Sequence, residues 1–160
     1  MKSYWKQDSP IGPLWLVEDG TGISEIALHE TFLCEDAQQK RTPLLQETQK
    51  QLEEYFAGER RLFHLPLSLH GTPFQRNVWQ TLCQIPYGET WSYQQTAQAA
   101  GSPKACRAVG MANHRNPVMI VVPCHRVIGK DGSLTGYGCG LNVKRYLLEL
   151  EKNGQVRNAK

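Results

Sequence analysis

The chain has 160 residues, 40% hydrophobic and 21% charged, the composition of a soluble globular protein of one domain or two small ones. No apolar stretch is long enough to span a membrane, and Met1-Lys2-Ser3-Tyr4-Trp5-Lys6-Gln7-Asp8 lacks the apolar core of a signal peptide, so a cytoplasmic protein is expected. The net charge of +3 hides a division: residues 1–70 hold 7 Lys/Arg against 11 Asp/Glu, residues 71–160 hold 11 against 4, so the second half suits a polyanionic partner.

The first forty residues read as short strands, Ser3–Gln7, Leu14–Glu18 and Ile23–Leu28, separated by turn signals at Ser9-Pro10, Gly12-Pro13 and Asp19-Gly20. Thr42-Pro43 opens a helix, with Thr42 as N-cap and Pro43 at the first helical position. Leu45, Thr48, Leu52, Tyr55 and Phe56 share its apolar face, and Gly58 ends it. Residues 59–70 read as a connector with one short strand, Leu62–Leu65. His29, His64 and His70 have no partner at catalytic spacing and read as structural or surface residues.

After Gly71 the pattern becomes helical. Thr72-Pro73-Phe74-Gln75 is a capping box, followed by Phe74, Val78 and Leu82 at four-residue intervals beside Trp79. Ile85-Pro86-Tyr87-Gly88 is a turn. Ser92-Tyr93-Gln94-Gln95 is a second capping box, starting a helix to about Ala100. Gly101-Ser102-Pro103 breaks it, and Ser102 is expected to cap a helix from Pro103 to about Ala112. Two short helices joined through a glycine outline a helix-turn-helix. The second carries small residues, Ala105, Ala108, Gly110 and Ala112, around the long cation Arg107. Asn142 is expected to cap a last helix that buries Val143, Tyr146, Leu147 and Leu150, with Glu151 beside that seam. Residues 155–160 read as a frayed end.

The chemistry concentrates in Asn116-Pro117-Val118-Met119-Ile120-Val121-Val122-Pro123-Cys124-His125-Arg126-Val127-Ile128. Its apolar run, Val118 to Val122, reads as a buried strand between two prolines that delivers a thiol, an imidazole and a guanidinium to one point. A cysteine nucleophile must be a thiolate, which needs a nearby base or positive charge. Neighbours in a strand point to opposite faces, so Cys124 and His125 cooperate only if the backbone leaves strand geometry or a water bridges them. Glu151 is the best-placed carboxylate to orient such a base. The pattern alone allows a Cys-His-Glu hydrolase or a DNA-acting thiol enzyme, and the helix-turn-helix with the basic half favours the second. The five cysteines, 34, 83, 106, 124 and 139, are odd in number and widely spaced, which argues against a disulfide framework, and no Cys-x-x-Cys pair marks a zinc site.

Pro123-Cys124-His125-Arg126-Val127, with Asn116-Pro117 before it, resembles the defining motif of the O6-alkylguanine-DNA alkyltransferases. Gly71-Thr72-Pro73-Phe74-Gln75, Ile85-Pro86-Tyr87-Gly88, Ser92-Tyr93, Lys104–Gly110, Gly136-Tyr137 and the closing helix extend the match over about residues 71–152. The N-terminal half matches through Ser9-Pro10-Ile11-Gly12-Pro13-Leu14 and Tyr55-Phe56-Ala57-Gly58.

The resemblance implies an α/β protein. Residues 1–70 would form a small ribonuclease-H-like domain, and residues 71–160 a mainly helical domain carrying the helix-turn-helix and the site. It implies irreversible transfer of an alkyl group from O6-alkylguanine in duplex DNA to Cys124, once per molecule, with O4-alkylthymine as a second candidate substrate. His125 would act as base through a water, Glu151 would orient it, Asn116 would orient the site, and Tyr93 would hydrogen-bond or protonate the base. Arg107 would be the finger that fills the gap left by a flipped base. Tyr93, Ser92, Lys104, Ala105, Gly110, Met111 and Arg126 would contact DNA, and Pro117, Val127, Tyr137, Gly138 and Cys139 would line the pocket. Cys139 stands where the family has a second glycine, and Cys106 where it has alanine. No cofactor, metal, membrane or obligate protein partner is implied, and a monomer is expected.

Overall fold

The computed structural model describes residues 2–28, 36–132 and 140–158, with side chains to residue 154. The chain divides into two compact units, Met1–His70 and Gly71–Lys160.

In the first unit, β1 (Ser3–Gln7), β2 (Leu14–Glu18), β3 (Ile23–Ala27) and β4 (Gln38–Gln39) form one sheet in the order β3-β2-β1-β4. β1 pairs antiparallel to β2, with Trp5 opposite Leu16, and β4 runs parallel to β1. Helix α1 (Pro43–Phe56) lies against β1 and β2. Thr42 caps it by accepting from the Leu45 amide at 3.2 Å, and Gly58 beyond it adopts φ 77°, a conformation open to glycine. Leu45, Thr48, Leu52 and Tyr55 are buried as expected, together with Gln51.

Gln51 also explains why the expected strand Leu62–Leu65 does not form. Its carboxamide accepts from the His64 amide at 2.9 Å and donates to the His64 carbonyl at 3.2 Å, taking the groups a strand neighbour would use. Leu62 is left exposed. Strand-like pairing comes later, where Leu67 forms a parallel bridge with Ile23. His70 is exposed and meets Asp19 at 2.7 Å beside Ser68. Burial would raise the Asp19 carboxyl, but hydrogen bonds from Ser68, His70 and two backbone amides hold it well below the usual carboxylate range. His29 lies outside the described residues.

In the second unit, α2 (Pro73–Leu82), α3 (Tyr93–Ala99) and α4 (Cys106–His114) pack on one another. Both capping boxes form, Thr72 with Gln75 and Ser92 with Gln95. The Trp79 indole donates to the Ala112 carbonyl at 2.8 Å, pinning α2 to α4. The start of α4 differs from expectation. Ala105 donates to the Ser102 carbonyl, so residues 102–105 close a turn and the helix begins three residues late without a side-chain cap. Lys104 and Ala105 therefore precede the helix.

The last helix, α5 (Leu141–Asn158), begins one residue before Asn142, so Asn142 lies inside it and is not its cap. Its buried positions are Lys144, Leu147, Glu151 and Gly154, whereas Tyr146 is exposed and Val143 and Leu150 are half-buried. Steps of three and four keep those four on one face. A Cβ on Gly154 would overlap the Tyr87 hydroxyl and lie 3.1 Å from its Cζ. Gly154→Ala gains about 1 kcal/mol of helix propensity but overpacks by about 1–3 kcal/mol. Because the obstacle is a ring held in place, a lower denaturation midpoint is expected; a raised midpoint would contradict that packing. No described helix is long and apolar enough to cross a membrane.

Candidate active site

The apolar run before Cys124 is not a strand. Val121 donates to the Met119 carbonyl at 2.9 Å, and Ile120 between them has φ 74°, the sign of a strained three-residue turn. Val122 donates to the Val118 carbonyl, and Cys124 donates to Val122 across Pro123, whose φ −82° and ψ 64° make an inverse γ-turn. Asn116 clamps this coil at both ends: its Oδ1 accepts from the Val118 amide at 3.0 Å and its Nδ2 donates to the Val122 carbonyl at 2.7 Å. A β-branched residue at positive φ is costly, and such strain gathers at functional sites.

Cys124–Arg126 then form one turn of 3₁₀ helix, which sends the three side chains in different directions from one point. All three are buried, Cys124 at 5% exposure, His125 at 0% and Arg126 at 6%. Val127–Ile128 continues as β6, pairing parallel with β5 (Trp91–Ser92). That pairing fastens the entry of α3, and so Tyr93, beside the turn that carries Cys124.

Glu151 is the hub of the charges. Its Oε2 lies 2.6 Å from His125 Nε2, and Arg126 reaches it through Nε at 2.8 Å and a second nitrogen at 3.0 Å. Arg126 also donates to the Ile85 carbonyl at 2.7 Å and stacks over Tyr87 at 5.7 Å. Burial would raise the Glu151 carboxyl, but His125 and Arg126 together hold it far below the carboxylate range. For His125, burial lowers the pKa, Glu151 opposes, and Arg126 and Lys144 lower it further; it lies below its ordinary 6.5. His125 is thus neutral at pH 7. A carboxylate only accepts, so the proton sits on Nε2 and Nδ1 is a bare acceptor. Nδ1 is buried and has no hydrogen-bond partner among the described residues.

Lys144 is the residue that sequence reasoning missed. It is fully buried, and its Nζ donates to the Val127 carbonyl at 2.5 Å. Burial pushes its pKa down, and the charge of Cys124 pulls it back up, so ammonium and thiol share one electrostatic neighbourhood. The signal was present: Lys144 stands seven residues before Glu151, two helical turns on the same face.

Among the other expected site residues, Arg126 requires correction. Its guanidinium is taken up by Glu151 and Ile85 in the interior, so it belongs to the charge network and not to a DNA-facing surface. Arg107, Lys104 and Met111 are exposed, and Ser92, Tyr93, Ala105 and Gly110 are half-buried. A Cβ on Gly110 would meet the Tyr93 ring at 3.6 Å, so Tyr93 lies over α4. Pro117 is half-buried and Val127 fully buried. Tyr137, Gly138 and Cys139 lie outside the described residues. Among the described residues, no group of three or more His, Cys, Asp or Glu side chains could hold a metal.

Comparison with known proteins agrees with this architecture at both ends of the chain. Residues 2–69 match the ribonuclease-like domain of 6-O-methylguanine DNA methyltransferase, and residues 73–153 match its DNA-binding domain. The chain is 48% identical over 159 residues to the constitutive methylated-DNA–protein-cysteine methyltransferase of Bacillus subtilis, covering 95% of this chain and 96% of that protein. It is 50% identical over 157 residues to the Mycobacterium tuberculosis methyltransferase, covering 96% and 94%. The crystal structure of the Mycobacterium tuberculosis protein OGT in complex with DNA superposes with a TM-score of 0.89 at 48% identity, covering 95% of this chain and 94% of that one. With both domain models matched in order along nearly its whole length, the chain belongs to the 6-O-methylguanine DNA methyltransferase family.

Proposed function

We propose that the protein repairs DNA by moving the alkyl group of O6-alkylguanine in a duplex onto its own Cys124. The observation that carries this reading is the bare, buried Nδ1 of His125, one residue from the thiol, with Nε2 held by Glu151. His125 takes the Cys124 proton through a water, and the Lys144 ammonium favours the thiolate that results. The sulfur attacks the alkyl carbon in line with O6: the S–C bond forms, the C–O6 bond breaks, and its electron pair stays on O6. The departing guanine gains one proton, equal to the one the thiol lost, and a hydrogen bond from Tyr93 stabilises it. The thioether has no route back, so each molecule reacts once and needs no cofactor.

The α3–α4 pair supplies the DNA contact. Arg107, Lys104 and Met111 are exposed on its surface, with Ala105 and Gly110 small enough for close approach and Ser92 and Tyr93 at its edge. Arg107 fills the stack when the target guanine leaves it for the pocket. Arg107→Ala should therefore slow repair of duplex DNA by about 10-fold or more while leaving reaction with free O6-methylguanine base unchanged. Equal slowing of both would contradict the finger role.

The reaction also has a pH signature. Only unprotonated His125 accepts a proton, and its pKa lies below 6.5, so the single-turnover rate should keep more than half of its pH 8 value down to pH 6.5 and fall further in more acid solution. A rate already halved above pH 7 would contradict a lowered pKa.

The function is tested by mixing the protein with a duplex containing O6-methylguanine and weighing it intact. One methyl group should be gained, on the peptide that holds Cys124. Folded protein that gains none would overturn the proposal.

A further inference from the structure

Asn113 is on α4, 2% exposed, and neither its Oδ1 nor its Nδ2 has a hydrogen-bond partner among the described residues. An orphaned carboxamide is costly to bury, because both its donor and its acceptor have given up water. Its neighbour Asn116 shows the usual arrangement, with both side-chain atoms engaged. A ligand that reaches such a group gains two hydrogen bonds that the folded chain leaves open.

Its position says what that ligand is. Gly110 and Asn113 are one turn apart on the same side of α4, and the Tyr93 ring covers Gly110. In the other direction, the Asn113 carbonyl accepts from the Asn116 amide at 3.4 Å. Asn116 and Cys124 in turn both donate to the Val122 carbonyl. Helix α4 thus links the tyrosine, over Gly110, to the turn that carries the thiol, through the Asn113 carbonyl and Asn116, and Trp79 fixes the helix through Ala112 next to Asn113.

This deepens the proposed reaction and rests on it: the ligand that enters between Tyr93 and Cys124 is the flipped base. Alkylation at O6 removes the N1 proton from guanine. The 2-amino group is then the only hydrogen-bond donor on the base, so an acceptor such as Asn113 Oδ1 can be satisfied nowhere else. Beside that amino group stand ring nitrogens N1 and N3, either of which can accept from Nδ2. We propose that Asn113 is a specificity-determining residue that reads the 2-amino edge of the alkylated guanine. O4-alkylthymine has no donor on its base, so the same residue disfavours it.

The test compares single-turnover methyl transfer from duplexes holding O6-methylguanine or O6-methylhypoxanthine, which differ only in the 2-amino group. The wild type should prefer the guanine by about 10-fold or more, the discrimination of one good bidentate contact. In Asn113→Leu that preference should fall below about 3-fold, through slower reaction with guanine, while the melting temperature is unchanged or higher. Asn113→Ala replaces it in the comparison if leucine lowers the melting temperature. Equal rates of the wild type on both duplexes would overturn the assignment, and so would full preference retained by the folded variant. Transfer from neither duplex by the wild type would instead overturn the methyltransferase reading on which it rests.

Discussion

Cys124→Ser is expected to accept no measurable methyl group while binding duplex DNA as tightly as the wild type. The substitution changes one atom at a position 5% exposed, so the turn held by Asn116 and the 3₁₀ helix should persist. What is lost is the nucleophile. A thiol becomes a thiolate with help from His125 Nδ1 and the Lys144 ammonium, whereas a hydroxyl is far from ionisation in the same field. Removing a nucleophile from a constellation that acts as a unit costs on the order of 10⁴–10⁶ in rate. The check has two parts: intact mass after prolonged incubation with excess O6-methylguanine duplex, and affinity for that duplex by anisotropy. A serine variant methylated within about 100-fold of the wild-type rate would sink the assignment of Cys124 as acceptor. Loss of DNA affinity in a folded variant would show that Cys124 also serves binding, which the exposed surface of α4 does not require.

The sequence was most legible where local chemistry decides the backbone. Thr72 with Gln75 and Ser92 with Gln95 close their capping boxes because both partners lie within one turn. It was least legible where a distant polar group overrides an apolar pattern. Val118–Val122 has the composition of a strand, but Asn116 satisfies two of its backbone groups and coils it, forcing Ile120 to positive φ. That coil, ending in a 3₁₀ turn, is also how Cys124 and His125 avoid the opposed faces a strand would impose. Leu62–Leu65 fails as a strand for a similar reason, with Gln51 thirteen residues from His64. In α5, hydrophobic periodicity selects Val143, Tyr146, Leu147 and Leu150, but of these only Leu147 is fully buried, and the face that carries it holds Lys144 and Glu151. Glu151 was legible as the carboxylate beside that seam, whereas Lys144, two turns before it on the same face, becomes meaningful only once Cys124 and Val127 are known to face it. The same network withdraws Arg126 from the surface where a cation beside a DNA-binding motif is naturally placed.

Glu151→Ala should be the most destabilising single change at the site. It strips the partner from Arg126, 6% exposed, and from His125, fully buried. Removing one member of a buried pair leaves an uncompensated charge, at a cost of about 3–5 kcal/mol. That compares with a typical domain stability of about 5–15 kcal/mol, so the variant should survive at 25 °C with a much lower urea midpoint. Two accompanying results separate this account from a simple cavity. First, the Glu151 carboxyl lies below its unfolded value of 4.5 in the folded protein, so its stabilisation is complete above pH 4.5 and is lost as the pH falls through the folded value. The isosteric Glu151→Gln variant should therefore lose much less stability than the wild type on acidification below pH 4.5. Second, replacing both charges with apolar residues, as in Glu151→Leu with Arg126→Leu, should recover part of the stability lost by Glu151→Ala, because no lone charge remains. Methyl transfer should not recover. Without the carboxylate nothing fixes the proton on Nε2, and loss of an oriented general base costs about 10²–10⁴ in rate. A Glu151→Ala variant within about 1 kcal/mol of the wild type would mean that Arg126 and His125 find other partners, and the hub role would fall.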